Sequence, residues 1–226
     1  MDRLIGLCPR GIGNDHQKFR DTVGEFEAQF PDDPPDQVRL AQLVLQLNAA
    51  NALDPGDYIE LGVFRGMTLK VIYRYMDKDR SLYGLDTFAG FDERDIASER
   101  LLYKNAWTAG NFAPTSLSEV ARYVGNGKHP PNLFLMPGWF PDSYAGCKRK
   151  RWRFAHVDMD LFDPTYRALE TLWPQMVPGG IIMVHDYGCP HFRARYAVDR
   201  FCQIIELPPV ELPDRYSTAV IRKPWK

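Results

Sequence analysis

Apolar and polar positions change rhythm several times along this chain, and the changes outline its elements. Over 15–30 (DHQKFRDTVGEFEAQF), Phe19, Val23, Phe26 and Phe30 recur at helical spacing on a polar background, predicting a surface helix with one inward face. Pro31, Pro34 and Pro35 stop it. A more apolar helix is predicted over 36–51, where Val38, Leu40, Ala41, Leu43, Val44, Leu45 and Leu47 suit packing on a sheet. Beyond it, short β-prone runs alternate with helical stretches. Strands are predicted at 57–61, 81–85, 132–136, 153–158 and 180–184, and helices at 66–77, 115–124, 164–176 and 191–203. This alternation defines an α/β chain with a mainly parallel, doubly wound, Rossmann-like sheet. The tail departs from it: IIELPPVEL, a turn at Pro213 and Asp214, and STAVIRK predict two β segments closing the sheet edge as an antiparallel pair. One connection, 87–114, lacks strand character and is long enough to expect function or movement in it.

Composition narrows the class. A length of 226 residues suits one domain over 1–226, with 1–53 as a short N-terminal helical extension and 87–114 as a lid insertion. Lys and Arg total 28 against 29 acids, a net charge of -1, so neither nucleic acid nor an anionic membrane is expected as partner. The longest apolar runs are strand-sized, and MDRLIGLCPRGIGND lacks a signal-peptide core. Cys8, Cys147, Cys189 and Cys202 have no paired metal spacing and are expected to be free thiols of a cytoplasmic protein. The helix over 15–30 is expected to dock on the body or to serve a homodimer.

Candidate chemistry begins at YIELGVFRGMT, 58–68, where a β-prone run ends on Glu60 and a glycine turn opens a helix. Gly62 and Gly66 are spaced more widely than in the GxGxxG dinucleotide fingerprint. A carboxylate before the first glycine repels a pyrophosphate and attracts an ammonium, directly or through water, which points to S-adenosylmethionine and away from NAD. The alternative is a structural turn capping the helix. The second strand ends in LYGLDTFAGF, so Asp86, with Thr87 beside it, adjoins the first strand's tip and can accept ribose hydroxyls. Alternatively, Asp86 closes its strand and bonds its own turn. After the third strand, Gly138 and Trp139 can flank an adenine ring, or Trp139 can be core.

A second pocket is expected where two neighbouring strands end in polar groups. RFAHVDMDLFDPT, 153–165, finishes its apolar run at Asp158, with Asp160 two residues on. Asp163 before Pro164 is expected to cap the next helix, and His156, inside the strand, to be a satisfied core histidine. GGIIMVHDYG ends in His185 and Asp186. Asp158, His185 and Asp186 can hold Mg²⁺ or another divalent ion. Imidazole suits zinc or iron better than magnesium, and His185 can instead be a general base with Asp158 beside it. Phe88, Phe91, Tyr103, Trp107 and Phe112 of 87–114 suit a flat or sugar-like acceptor, with Tyr187 and Arg193 as further candidates to face it.

YIELGVFRGMT, LYGLDTFAGF, PGWFPDSY, HVDMDLFDPT, PGGIIMVHDYG and RYAVDRF, in this order over roughly 55–203, resemble the macrocin O-methyltransferase family of class I methyltransferases. The resemblance implies a seven-stranded mixed sheet of the class I methyltransferase fold. It also implies methyl transfer from S-adenosylmethionine to a hydroxyl, often on a natural-product sugar, and frequently a divalent metal. By position, Glu60, Gly62 and Gly66 match the donor motif, Asp86 the ribose acid and Asp158 the first metal acid. His185 and Asp186 stand where relatives often carry two acids, and 92–116 holds no histidine to serve as the base some relatives carry there. Two rivals are a nicotinamide-dependent oxidoreductase, opposed by Glu60 and the glycine spacing, and a non-catalytic partner protein of the same fold.

Overall fold

The computed structural model describes residues 16–31, 34–53, 55–103, 107–113 and 115–225. Cys8 and the Tyr103 side chain lie outside the described part. Seven strands form one sheet: β1 Asp57–Leu61, β2 Leu82–Asp86, β3 Leu133–Pro137, β4 Trp152–Val157, β5 Met176–Val184, β6 Val210–Leu212 and β7 Thr218–Arg222. Their order is β3-β2-β1-β4-β5-β7-β6. The neighbours among β1 to β5 pair in parallel, and β7 runs antiparallel to both β5 and β6. The chain winds outward from β1 to β3, then returns beside β1 with β4. The carboxyl ends of β1 and β4 therefore border the switch point, where α/β sheets open a ligand crevice.

Seven α-helices are described: α1 His16–Gln29, α2 Gln37–Asn51, α3 Met67–Tyr75, α4 Glu93–Tyr103, α5 Leu117–Val124, α6 Phe162–Leu172 and α7 Ala194–Ile204. Period-two alternation splits the core between the two sheet faces. Tyr58, Leu82, Phe154, Ile181 and Met183 pack under α2, α3 and α5, joined by Val23 and Phe26 of α1. Ile59, Leu61, Leu85, Ala155, Val157, Ile182 and Val184 pack under α6 and α7. Central β4 is buried at every residue, as a strand covered on both faces must be. The helix expected over 15–30 docks within its own chain: Glu25 pairs with Lys70 at 2.9 Å and with Arg74.

Three elements differ from expectation. The helix predicted over 164–176 is α-helical to Leu172 and goes on as a 3-10 turn over Trp173–Gln175, while the strand predicted at 180–184 already starts at Met176, with Gly179 at φ 75° letting it run through PGG. Asp163 is not the cap of α6: that position is Leu161, and the Phe162 amide hydrogen-bonds instead to Glu99 of α4 at 3.1 Å. Ser98 of the same helix donates to Asp163. Helix α4 itself was not expected in the 87–114 connection. Its inward side is Asp95, Ile96 and Glu99, so the apolar periodicity that announces a helix is missing.

Candidate active site

A cavity of about 360 Å³ opens over the carboxyl ends of β1, β2, β4 and β5, a size suited to a small-molecule ligand. Its first wall is the turn after β1, Leu61 to Arg65, with Met67 and Thr68 behind it. Gly62 sits at φ 83°, where an added Cβ would lie 1.9 Å from the Asp158 carbonyl oxygen. Only glycine lets the ends of β1 and β4 approach this closely. Asp86 braces the same turn. Its Oδ2 accepts from the Val63 and Phe64 amides, each at 2.8 Å, and its Oδ1 from the Phe88 amide at 2.7 Å. Asp86 thus bonds its own turn while still lining the cavity, with Thr87 beside it. Gly138, Trp139 and Phe140 form the next wall. Trp139 donates its Nε1 proton to Asp95 Oδ2 at 2.9 Å, and the Arg94 guanidinium lies 3.9 Å from its ring.

Two expected donor-site residues stand elsewhere. Glu60 does not line the cavity: it is 0% exposed, and its Oε1 faces His156 Nδ1 at 2.8 Å. Strand register explains this, since Glu60 and His156 are direct partners across the β1–β4 pair and share one sheet face. Glu60 thus forms a buried pair beneath the glycine turn and does not itself face the cavity. Burial pushes the Glu60 carboxyl up, and His156 works against that shift. Gly66 is likewise not a wall residue. It is the N-cap of α3 at φ 83°, and a Cβ there would meet Val120 Cγ1 at 2.9 Å.

The opposite end of the cavity is a charge cluster. Asp158, His185 and Asp186 converge at the tips of β4 and β5, with ligand atoms all within 4.8 Å of one another. Asp160 joins the cavity wall from the turn after β4. Both Asp160 (φ 63°) and Asp186 (φ 57°) hold left-handed backbone, a strained conformation for residues other than glycine. His185 Nδ1 lies 3.1 Å from Asp158 Oδ1 and 3.2 Å from Asp186 Oδ1. Only the first has hydrogen-bond alignment, and Asp186 Oδ1 is buried without a hydrogen bond. The other Asp158 oxygen, Oδ2, accepts from Arg39 Nη2 at 2.5 Å.

Charges in this cluster set one another. Burial alone would raise Asp158, but the Arg39 guanidinium and His185 outweigh it and hold the carboxyl well below its usual range. Burial and the adjacent Asp186 push Asp160 well above that range. Burial and Arg39 would lower His185, yet Asp158 and Asp186 prevail and bring it up to about 9. In this arrangement the protonated imidazole is favoured, and its Nδ1 proton points to Asp158.

Several lining residues had no forecast. Arg39 comes from α2, Phe192 from the loop after β5, and Arg215 and Tyr216 from the turn before β7. The signal for Arg39 was present as a lone charge beside the buried stripe Leu40, Leu43, Val44 and Leu47. Of the aromatics in 87–114, Phe91 and Phe112 line the cavity, whereas Phe88 packs on the α2–α3 side of the core. Trp107 stacks on Phe192 with centroids 5.0 Å apart. Tyr187 is buried with its hydroxyl donating to Asp199 at 2.6 Å, and neither it nor Arg193 lines the cavity.

A 3-2-1-4-5-7-6 sheet with antiparallel β7, helices on both faces and a crevice between glycine turn and acidic strand ends is the class I S-adenosylmethionine-dependent methyltransferase fold. Residues 36–213 match the model of the macrocin-O-methyltransferase (TylF) family, and the chain belongs to that family. It is 28% identical over 161 residues to 8-demethyl-8-(2,3-dimethoxy-α-L-rhamnosyl)-tetracenomycin-C 4'-O-methyltransferase of Streptomyces olivaceus, covering 64% of this chain and 60% of that protein. It is 29% identical over 149 residues to mycinamicin III 3''-O-methyltransferase of Micromonospora griseorubida, covering 62% of this chain and 58% of that protein. The chain thus matches about three fifths of the length of these relatives. The solved structure of the O-methyltransferase NovP superposes with a TM-score of 0.66 at 23% identity, over 83% of this chain and 80% of that one.

Proposed function

We propose that the protein is an S-adenosylmethionine-dependent O-methyltransferase that methylates a hydroxyl of a small molecule, a sugar of a natural product being the class its relatives' names favour. The observation that carries this reading is that one cavity runs from the glycine turn to the Asp158–His185–Asp186 cluster. Donor and acceptor can meet in it without crossing the sheet. In this reading the adenosine lies along Gly62, Asp86, Thr87, Gly138 and Trp139, with Asp86 adding ribose contacts to its brace on the turn. Segment 87–114 closes over the donor as a lid and excludes water.

Methyl transfer from a sulfonium to an oxygen dissipates charge, so positioning and proton removal carry the rate. Asp158 and His185 form a charged pair that orients the acceptor oxygen. Asp186 Oδ1, buried and unbonded, is the open acceptor for its proton. The same unbonded oxygen, with Asp158 and the His185 imidazole, fits a divalent ion, and the mixed nitrogen–oxygen set favours Mn²⁺, Fe²⁺ or Zn²⁺ over Mg²⁺. When bound, such an ion would lower the pKa of a hydroxyl placed on it. Among the described residues no helix is long and apolar enough to cross a membrane.

Calorimetric titration with S-adenosylhomocysteine and with NAD tests the reading. Binding of the sulfur ligand in the micromolar range with no NAD signal is the expected outcome. Failure to bind S-adenosylhomocysteine would overturn it, and NAD binding in its place would favour the oxidoreductase rival.

A further inference from the structure

Helix α2 inserts a fixed cation into the acid cluster. Asp36 caps the helix, its Oδ1 accepting from the Val38 and Arg39 amides at 3.0 and 3.2 Å. Its Oδ2 accepts from the Arg215 amide at 2.7 Å, which ties the helix start to the turn before β7. Buried Leu40, Leu43, Val44 and Leu47 then clamp α2 to the sheet. Arg39 therefore enters the cavity from a rigid base.

Its hold on Asp158 is nonetheless a single contact. Nη2 meets Asp158 Oδ2 at 2.5 Å and stands 3.5 Å from His156 Nε2, while the buried Nε has no hydrogen-bond partner. A guanidinium that grips a carboxylate through both nitrogens is harder to displace than one held at one corner. With His185 on Oδ1, both oxygens of Asp158 are occupied by cationic donors. A divalent ion ligated by Asp158, His185 and Asp186 needs one of those oxygens and the Nδ1 lone pair. It also brings two positive charges next to a third, in a pocket where screening by water is weak.

We propose that Arg39 is a built-in competitor for the metal position: its guanidinium substitutes for the ion on Asp158, and a divalent cation binds only as Arg39 lets go. Helix α2 thus sets the metal affinity of a site otherwise made from β4 and β5. The proposal rests on the metal-competent reading of the cluster given above, and it concerns this chain's own side chains with no donor or acceptor present.

The test is calorimetric titration with Mn²⁺ alone, at pH 7.5 and without donor. Wild type is expected to bind weakly, Arg39→Gln at least tenfold more tightly, and Arg39→Lys, which keeps the charge, within threefold of wild type. Adding Asp158→Asn to Arg39→Gln should abolish the gain. Circular dichroism and urea unfolding check that each variant folds, and Arg39→Met stands in if Arg39→Gln does not. Unchanged or weaker Mn²⁺ affinity in the neutral variants overturns the proposal. So does a gain that survives Asp158→Asn, or the absence of Mn²⁺ binding in every variant. Because S-adenosylhomocysteine binding is measured separately, failure of the competition and failure of the methyltransferase reading give different results.

Discussion

Replacing Glu99 with glutamine should stabilise the protein at alkaline pH and change little at acid pH. Glu99 lies on α4, within the proposed lid, and is 1% exposed. One oxygen accepts from the Phe162 amide at the start of α6, at 3.1 Å, while Oε1 is buried without a partner. The helix N-terminus favours the carboxylate, but burial, with Asp163 and Asp95 adding repulsion, outweighs it and lifts the group from 4.5 to about 7. The sign follows from proton binding. The folded state holds the proton more tightly than the unfolded state, so stability falls as pH rises from 4.5 towards 7, and the full cost stands above 7. The shift corresponds to a ceiling of about 3 kcal/mol, reduced to roughly 1–2 kcal/mol by residual screening and relaxation. Glutamine keeps a carbonyl oxygen for the Phe162 amide and carries no charge. Urea unfolding followed by fluorescence and circular dichroism should show Glu99→Gln ahead by roughly 1–2 kcal/mol at pH 8.5 and by less than about 1 kcal/mol at pH 5. Equal differences at the two pH values, or a wild type that gains on the variant as pH rises, would refute the buried-charge argument.

Two further outcomes probe the site's frame. Gly62→Ala should cost about 3 kcal/mol or more, because a left-handed φ and a Cβ 1.9 Å from the Asp158 carbonyl oxygen force β1 and β4 apart; a urea-unfolding loss under about 1 kcal/mol would contradict that close approach. His185 should titrate near 9 by NMR, against an ordinary 6.5. Its stabilising contribution is then complete below 6.5 and lost as pH rises through 9. Asp158→Asn should bring the titration back towards neutrality, and an unmoved titration would show that another group holds the proton.

How far the chain announced this molecule depends on the range over which each feature is encoded. Strand positions follow from what a sheet must bury, so β1 matches the forecast 57–61, while β2 and β3 are displaced by one residue. Convergence of Asp158, His185 and Asp186 was legible because each sits at a strand end, and neighbouring parallel strands bring their ends together. Lateral pairing was not. Glu60 appeared to face a ligand because it ends an apolar run next to glycines. Register sets it opposite His156, and a carboxyl group that finds a hydrogen-bond partner inside the sheet does not turn outward. Helix α4 escaped notice for a related reason: its buried side is acidic, and hydrophobic periodicity registers only apolar burial.

Arg39 shows where local reading fails on principle. It meets Asp158 across 119 residues of chain, and nothing near either residue specifies the other. What the sequence does contain is an anomaly, a charged residue at the edge of a stripe that packs on a sheet. Such a residue must find a buried partner or leave the helix unstable. The free partners at the carboxyl edge of this sheet are the acids of the cluster, so a charge on the inward edge of a helix crossing that edge is itself a prediction of a site contact. By this logic the N-terminal helices are more than an appendage to the alternating core. Phe30 and Arg39 stand in the cavity wall, and a protein trimmed to begin at β1 would lose the cation that balances Asp158.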